Sequence, residues 1–363
     1  MRQDCESNNI AFIDTRGHTK MNKTSLALFY RVFRAFKASF FLGAAILVVV
    51  PEATPQTSTS KSAASYYNRG NESYRKHDYD RAIDDFSVAI AFDPGFAWAY
   101  NNRGSARFEK HDVEGALEDF GRALELNPRF AEAYANLARV KDYRGDRPGA
   151  LEAYNQAALL APHNPIIFFN RANLWKAVNN LVRALADYDK AIGLDPRFAQ
   201  AYVNRANTRL MLREFERAIA DYNRAIQIDS GQADPYNDRG VAELGTRDFG
   251  AAIRDFNAAI MLRPAYALAY YNRACALMAL GHAAGALEDL NMSIGIDPSF
   301  AKAYLNRGLL HLRADRAQQA SADFEKALRL APRLRPLLQE RLVEICHKQC
   351  CDFDNIPAQV STP

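Results

Sequence analysis

Residues 97 to 128 read AWAYNNRGSARFEKHDVEGALEDFGRALELNP, and the chain repeats the pattern of this stretch at a fixed spacing. An alanine recurs every 34 residues, eight times in all: Ala82, Ala116, Ala150, Ala184, Ala218, Ala252, Ala286 and Ala320. An aromatic residue precedes each of these alanines by sixteen positions, and a glycine or alanine precedes each by twelve. A period of this length is typical of stacked copies of one helical hairpin.

Positions in each repeat are numbered 1 to 34, starting at residues 63, 97, 131, 165, 199, 233, 267 and 301. Positions 4, 8 and 11 share one stripe of a first helix, and positions 20, 24 and 27 share one stripe of a second helix. Small residues at 8 and 20 allow the two helices to approach closely, and we expect large residues at 4 and 24 to fill the space beside them. A proline at position 32 in seven of the eight repeats predicts the end of the second helix.

This pattern resembles the tetratricopeptide repeat family over residues 63–334, with no insertion between the eight units. The resemblance implies an all-α fold, a right-handed α-solenoid superhelix of eight helix-turn-helix repeats. It also implies that the first helix of each repeat lines a concave groove, and that the usual partners are extended peptides or other proteins.

The residues before the repeats have the composition of a targeting element. Residues 1–50 combine a basic region with an uncharged run from 38 to 50, and residues 51–62 form a Pro/Ser/Thr-rich linker. Thirteen apolar residues suit the core of a signal peptide better than a membrane span of about 20. A poor cleavage site leaves three alternatives, which are cleaved export, an uncleaved inner-membrane anchor and a cytoplasmic protein. The first two place the repeats in the periplasm or otherwise outside the cytoplasm, and Met21 is a second candidate start.

The residues after the repeats predict a capping helix over 335–349 and a disordered tail over 350–363. Leu338, Leu342 and Ile345 form an apolar stripe on this helix, which suits a terminal unit that covers the exposed end of a solenoid. The last repeat offers Leu305, Leu309 and Leu312 at groove positions. Two alternatives follow, because this apolar end can bind a partner's side chains or be covered by the C-terminal helix.

A row of amide side chains is the main candidate binding site. Position 6 is asparagine in seven repeats, about 200° from positions 4 and 8, so we expect it to lie off the buried stripe. An amide offers two donors and an acceptor and can bind the backbone of an extended peptide. The row resembles the asparagine ladder of the O-linked N-acetylglucosamine transferase repeats, and the alternative is that it bonds the neighbouring helix. Tyr67 and Trp98 add an aromatic wall. The candidate residues are Asn68, Asn102, Asn136, Asn170, Asn204, Asn272, Asn306, Tyr67 and Trp98.

A second row is charged and is interpreted as structural rather than anion-binding. Position 7 is arginine and position 23 is aspartate in seven repeats each, and repeat 3 lacks both, with Leu137 and Ala153. Joint loss indicates a mutually dependent pair, because a lone partly buried charge is costly whereas replacing both partners is nearly neutral. We therefore expect Arg103 to contact Asp119.

Composition argues against several function classes. The net charge of +4 comes from residues 1–62, and the remainder carries 38 basic and 38 acidic residues, so the repeats lack the basic surface of a nucleic-acid-binding protein. No catalytic, phosphate-binding or metal motif occurs, and no cofactor or small-molecule substrate is expected. The sequence predicts a non-enzymatic scaffold that binds extended peptide segments or partner proteins. The alternatives are an envelope assembly factor that docks a folded partner, and a regulatory subunit of an enzyme.

Overall fold

The computed structural model describes residues 58–349, with side chains described from 62 to 343. The predicted leader, most of the linker and the predicted tail lie outside the described residues. The predictions of an export signal, of an anchor and of a start at Met21 are therefore not tested. The first helix begins at Ser58, inside the predicted linker and five residues before the first repeat.

Residues 58–349 form seventeen α-helices and one 3-10 turn, without a strand, which confirms the predicted all-α fold. Each repeat holds two helices, the first with an odd number and the second with an even number. The helices are α1 Ser58–Arg75, α2 Tyr79–Phe92, α3 Ala97–Glu109, α4 Val113–Leu126, α5 Ala131–Arg144, α6 Arg147–Leu160, α7 Pro165–Ala177, α8 Leu181–Leu194, α9 Ala199–Met211, α10 Phe215–Ile228, α11 Ala233–Thr246, α12 Phe249–Leu262, α13 Ala267–Ala279, α14 Ala283–Ile296, α15 Ala301–Arg313, α16 Ala317–Leu330 and α17 Arg335–Gln349, with the 3-10 turn at Pro332–Leu334.

The described residues divide into two compact units, 58–204 and 205–349. Within each unit, the two helices of a repeat pack on each other, and the second helix also packs on the first helix of the next repeat. Each hairpin buries its apolar face only through these neighbours, which is the arrangement of a solenoid. Every second helix ends at position 30, two residues before the position of the proline, as predicted.

The turn between the two helices depends on one left-handed residue at position 15 of every repeat. The φ angles there range from 57° to 94°, and only Gly145 and Gly281 are glycines. The other six residues, which are His, Asn, Arg or Asp, therefore adopt a conformation that costs about 1 kcal/mol or more. The following residue compensates in several repeats, because Asp112 or its equivalent caps the second helix by accepting from the N–H of position 19.

The core of each hairpin joins a small residue at position 8 to a ring or leucine at position 24. Repeats with glycine at position 8 carry phenylalanine at 24, and repeats with alanine carry tyrosine or leucine. A Cβ atom added to Gly240 would lie 2.7 Å from Phe256 Cε1, and Gly70 and Gly308 are equally tight. In two alanine repeats the tyrosine hydroxyl donates to the asparagine at position 9, Tyr188 to Asn173 and Tyr222 to Asn207. Positions 8 and 24 therefore vary together for steric reasons, and the asparagine at position 9 adds a hydrogen bond in repeats 4 and 5.

The aromatic residues at position 4 are not the core fillers that the sequence predicted. Most are only half-buried, and six of the eight pack on the arginine three residues later. The Arg103 guanidinium lies 5.4 Å from the centre of the Tyr100 ring, and the distance is the same between Arg273 and Tyr270. A guanidinium beside a ring face is a favourable contact at such half-buried positions.

The C-terminal helix α17 covers the last repeat, as one of the two alternatives expected. Leu334 and Leu338 are buried in one cluster with Leu305 and Leu309. Leu312 and Leu342 pack at the edge of the same cluster. The leucines of repeat 8 are thus occupied within the chain itself, and α17 supplies the predicted cap.

Candidate functional site

The asparagines at position 6 lie inside the array rather than on its surface, which corrects the expectation drawn from a single hairpin. Asn102 is 1% exposed, and Asn136, Asn170, Asn272 and Asn306 are also buried. The surface that position 6 presents is covered by the first helix of the preceding repeat, as contacts between α1 and α3 and between α3 and α5 show.

The buried amides bond the preceding repeat through their N–H groups. Asn102 Nδ2 donates to the Tyr67 hydroxyl at 3.0 Å and to Asn71 Oδ1 at 2.7 Å. These acceptors stand at positions 5 and 9 of the previous repeat. The same positions supply the acceptors for Asn136 (Asn101 and Ser105), Asn204 (Asn173), Asn272 (Asn237) and Asn306 (Tyr271 and Cys275). The row therefore links neighbouring first helices.

The exceptions in this row have simple causes. Asn68 belongs to the first repeat and is exposed. Asn170 follows a repeat with Ala135 and Arg139 at the two acceptor positions, and neither side chain can accept a hydrogen bond. Asn204 is half-buried and accepts from Gln200 Nε2 at 3.2 Å.

The two aromatic candidates also belong to the packed interior, in one cluster that joins residues of repeats 1 and 2. Tyr67 is 2% exposed and lies between the Phe86 and Phe96 rings, with its centroid 5.8 and 4.9 Å from theirs. Burial raises the pKa of Tyr67. Trp98 is half-buried, 4.2 Å from the centre of the Phe130 ring. Binding of a peptide by the asparagine row, Tyr67 and Trp98 stays a prediction, as does the resemblance to the transferase ladder.

The links predict a position-dependent cost of removing one amide. We expect Asn102→Ala to lower the free energy of unfolding by about 1–2 kcal/mol, because it strands buried partners in the preceding repeat. Asn68→Ala changes the same position without such partners and should cost under about 0.5 kcal/mol. Urea denaturation measures both. Equal costs for the two variants would show that the hydrogen bonds between repeats do not explain position 6.

The charged row forms the predicted pairs and one further contact. Arg273 donates from Nε and Nη2 to the two carboxylate oxygens of Asp289, at 2.8 and 2.6 Å. Its Nη1 donates to Asn257 Oδ1, at position 25 of the preceding repeat. The same three-residue network recurs as Arg103–Asp119–Ser87, Arg171–Asp187–Asn155, Arg239–Asp255–Asn223 and Arg307–Asp323–Asn291. The Arg103–Asp119 contact is thereby confirmed, and each network ties two repeats together.

The junction of repeats 2 and 3 lacks all three members of the network. Repeat 3 has Leu137 and Ala153, and position 25 of repeat 2 is Gly121. A Cβ atom added to Gly121 would contact nothing within 4 Å, so the space of the missing side chain is open. Position 25 is the member that sequence reasoning missed, although its signal was present: it is polar before every repeat that carries the arginine.

The residue at position 11 changes the surroundings of the aspartate at position 23 from one repeat to another. Arg107 and Arg209 supply a second guanidinium, at 3.0 Å from Asp119 and 2.6 Å from Asp221. Repeat 6 instead has Glu243 beside Asp255, and Glu243 Oε2 is buried without a hydrogen-bond partner within the described residues. Burial, together with the carboxylate of Asp255, raises the pKa of Glu243 to about 8.

Glu243 should make the stability of the second unit depend on pH. A carboxyl with a raised pKa stabilises the fold fully below its ordinary pKa of 4.5 and loses that contribution as the pH rises through about 8. Relative to the unchanged chain, Glu243→Gln should therefore be near neutral at pH 5 and stabilising at pH 8. Thermal denaturation across this range measures the difference. Glu118→Gln, an exposed control, should show no such trend, and a flat difference for Glu243→Gln would contradict the shift.

Membrane-spanning and metal-binding features are both absent from residues 58–349. No helix in that range is both long and apolar enough to cross a bilayer. The same residues contain no group of three or more His, Cys, Asp or Glu side chains placed to hold a metal ion. Cys275 is buried there as a free thiol.

Comparison with known proteins identifies the repeats. Three family profiles, each described as tetratricopeptide repeat, match residues 97–130 and 199–231, residues 237–299, and residues 301–334. A search of curated proteins found no match.

Several solved structures share the fold. A tetratricopeptide repeat protein from Parabacteroides merdae is 21% identical, with a TM-score of 0.54 over 68% of this chain and 98% of its own. PilF from Pseudomonas aeruginosa is 16% identical, with a TM-score of 0.53 over 59% and 97%. The APC/C hetero-tetramer Cut9–Hcn1 is 15% identical, with a TM-score of 0.52 over 89% and 61%. At these identities the likeness concerns the fold alone.

Proposed function

We propose that this chain, which contains tetratricopeptide repeats, is a non-enzymatic scaffold that binds extended peptide segments of partner proteins along the face of its first helices. Repeats of this kind support a role in protein interaction. The periodic row of asparagines at position 6 supports the more specific part of this proposal, that the partner binds as an extended peptide. The N–H groups of Asn136, Asn272 and Asn306 are bonded to the preceding repeat, and these side chains are only 2–4% exposed, so a bound peptide would meet their amide oxygens alone.

The spacing of the row sets the size of the bound segment. Adjacent packed helices lie about 8–10 Å apart, and an extended chain advances about 3.3–3.6 Å per residue. Each asparagine would therefore meet about every third residue of the peptide. Because this recognition uses the peptide backbone, affinity should depend on length and extension more than on side-chain sequence.

Length dependence tests this proposal. Uncharged, unfolded peptides of 6, 12 and 20 residues should bind with increasing affinity, and scrambling their sequences should change affinity only a few-fold. Fluorescence anisotropy of labelled peptides measures both properties. If the protein docks only folded partners, none of these peptides will bind at any length, and that outcome would reject the proposal.

We further propose that the repeats act outside the cytoplasm, after export or while anchored in the inner membrane. The basic region followed by the uncharged run from 38 to 50 supports this location. An alkaline phosphatase reporter fused after residue 62 should be active in the periplasm. An inactive phosphatase, together with an active cytoplasmic reporter at the same site, would reject export.

A further inference from the structure

Repeat 4 differs from its neighbours at position 11. In repeats 2 and 5 this position supplies Arg107 and Arg209, each of which bonds the aspartate of position 23 as a second guanidinium. In repeat 4 the residue is Trp175, so the place of that second guanidinium is not filled from α7. A cleft of about 270 Å³ opens there instead.

The cleft lies among three helices and is lined by four polar or charged side chains together with an indole ring and an alanine. Asn155 comes from α6, Arg171 and Trp175 from α7, and Arg183, Ala186 and Asp187 from α8. Both oxygens of Asp187 already accept from Arg171, each at 2.7 Å. Asn155 Oδ1 accepts from Arg171 Nη1 at 2.9 Å. The acceptors of the wall are therefore engaged, and Arg171 is neutralised by its own aspartate.

Arg183 supplies the free positive charge. Its guanidinium carbon lies 4.7 Å from the centre of the Trp175 ring, and among the described residues it forms no ion pair. A guanidinium over an indole face keeps its N–H groups pointing outward in its own plane, where they can bind a carboxylate bidentately. The indole thus holds the arginine in place while its donors stay available.

We propose that this cleft binds a peptide carboxylate, with Arg183 as the ligand-binding donor and Trp175 as its support. The site goes beyond the proposed groove function, because it uses positions 11 and 19 of one repeat instead of the asparagine row. The bound carboxylate can belong to an acidic side chain or to the C-terminus of a peptide, and the experiment distinguishes these two sources.

The experiment uses the full chain with Trp98→Phe, which leaves Trp175 as the single tryptophan. Two blocked probes are titrated while tryptophan fluorescence is followed. Acetyl-hexaglutamate amide carries side-chain carboxylates only, and acetyl-hexaalanine with a free C-terminus carries only a terminal one. We expect a saturable fluorescence change with at least one probe. The probe that responds shows whether the cleft binds a side-chain or a terminal carboxylate.

Matched variants locate the binding. Arg183→Gln should weaken binding about tenfold, the effect of losing a charge-assisted hydrogen bond. Arg217→Gln removes the same charge from position 19 of repeat 5 and should leave affinity unchanged. Trp175→Arg reproduces repeats 2 and 5 and should abolish binding of a labelled probe in anisotropy. Equal losses in Arg183→Gln and Arg217→Gln, or no saturable change with either probe, would overturn the proposal.

Discussion

Arg273→Leu is expected to lower the free energy of unfolding by about 3 kcal/mol, because it leaves the buried carboxylate of Asp289 without its counter-charge. Asp289 is 4% exposed, and both of its oxygens accept from Arg273. Repeat 7 is the sharpest place for this test, since its position 11 is Leu277 and cannot replace the lost guanidinium. Urea denaturation measures the change.

Two controls distinguish the loss of the Arg273–Asp289 ion pair from the mere loss of the arginine side chain. Arg103→Leu in repeat 2 should cost clearly less, because Arg107 remains 3.0 Å from Asp119. Arg273→Leu combined with Asp289→Ala should recover most of the loss, since it reproduces the Leu137 and Ala153 of repeat 3. A double-mutant cycle without coupling would contradict the network.

Gly240→Ala is expected to destabilise the chain by about 1–3 kcal/mol through overpacking, although alanine is the better helix former by about 1 kcal/mol. The added Cβ would lie 2.7 Å from the Phe256 ring, which is itself fully buried. Combining the change with Phe256→Leu should recover part of the loss, because repeat 7 already pairs Ala274 with Leu290. Thermal and urea denaturation measure both variants.

Gly121→Ala is the matched control, since it also places an alanine within a helix but its Cβ meets nothing within 4 Å. It should be neutral or stabilising by up to about 1 kcal/mol. If Gly240→Ala were stabilising as well, close approach of the two helices would not explain the glycines at position 8.

The fold could be predicted from the sequence because its information is periodic. The spacing of Ala82 and its equivalents and the proline at position 32 predicted the helix pairs. The joint absence at Leu137 and Ala153 predicted the ion pairs, since electrostatic dependence leaves a pattern in one chain. The cap was predictable from the stripe that includes Leu338 and Leu342, which now lies on repeat 8.

The candidate site was less predictable, because part of the burial of each hairpin in a solenoid comes from the neighbouring repeat. A helical wheel of one hairpin places Asn102 off its stripe, yet α1 covers that face and offers Tyr67 and Asn71 as acceptors. The same wheel predicts a buried Tyr100, which instead supports Arg103. Local periodicity therefore identified the special positions correctly, and only the packing between repeats decided which of them is buried.

The most direct test of the proposed function asks where an extended peptide lies. A photo-crosslinking residue is placed at Gln200, exposed on a first helix beside Asn204, or at Met261, 77% exposed on a second helix. Each protein is irradiated with an uncharged 20-residue unfolded peptide, and crosslinks are mapped by mass spectrometry. Peptide binding along the first helices predicts crosslinks from Gln200 and none above background from Met261. Equal crosslinking from both positions, or crosslinking from Met261 alone, would contradict it.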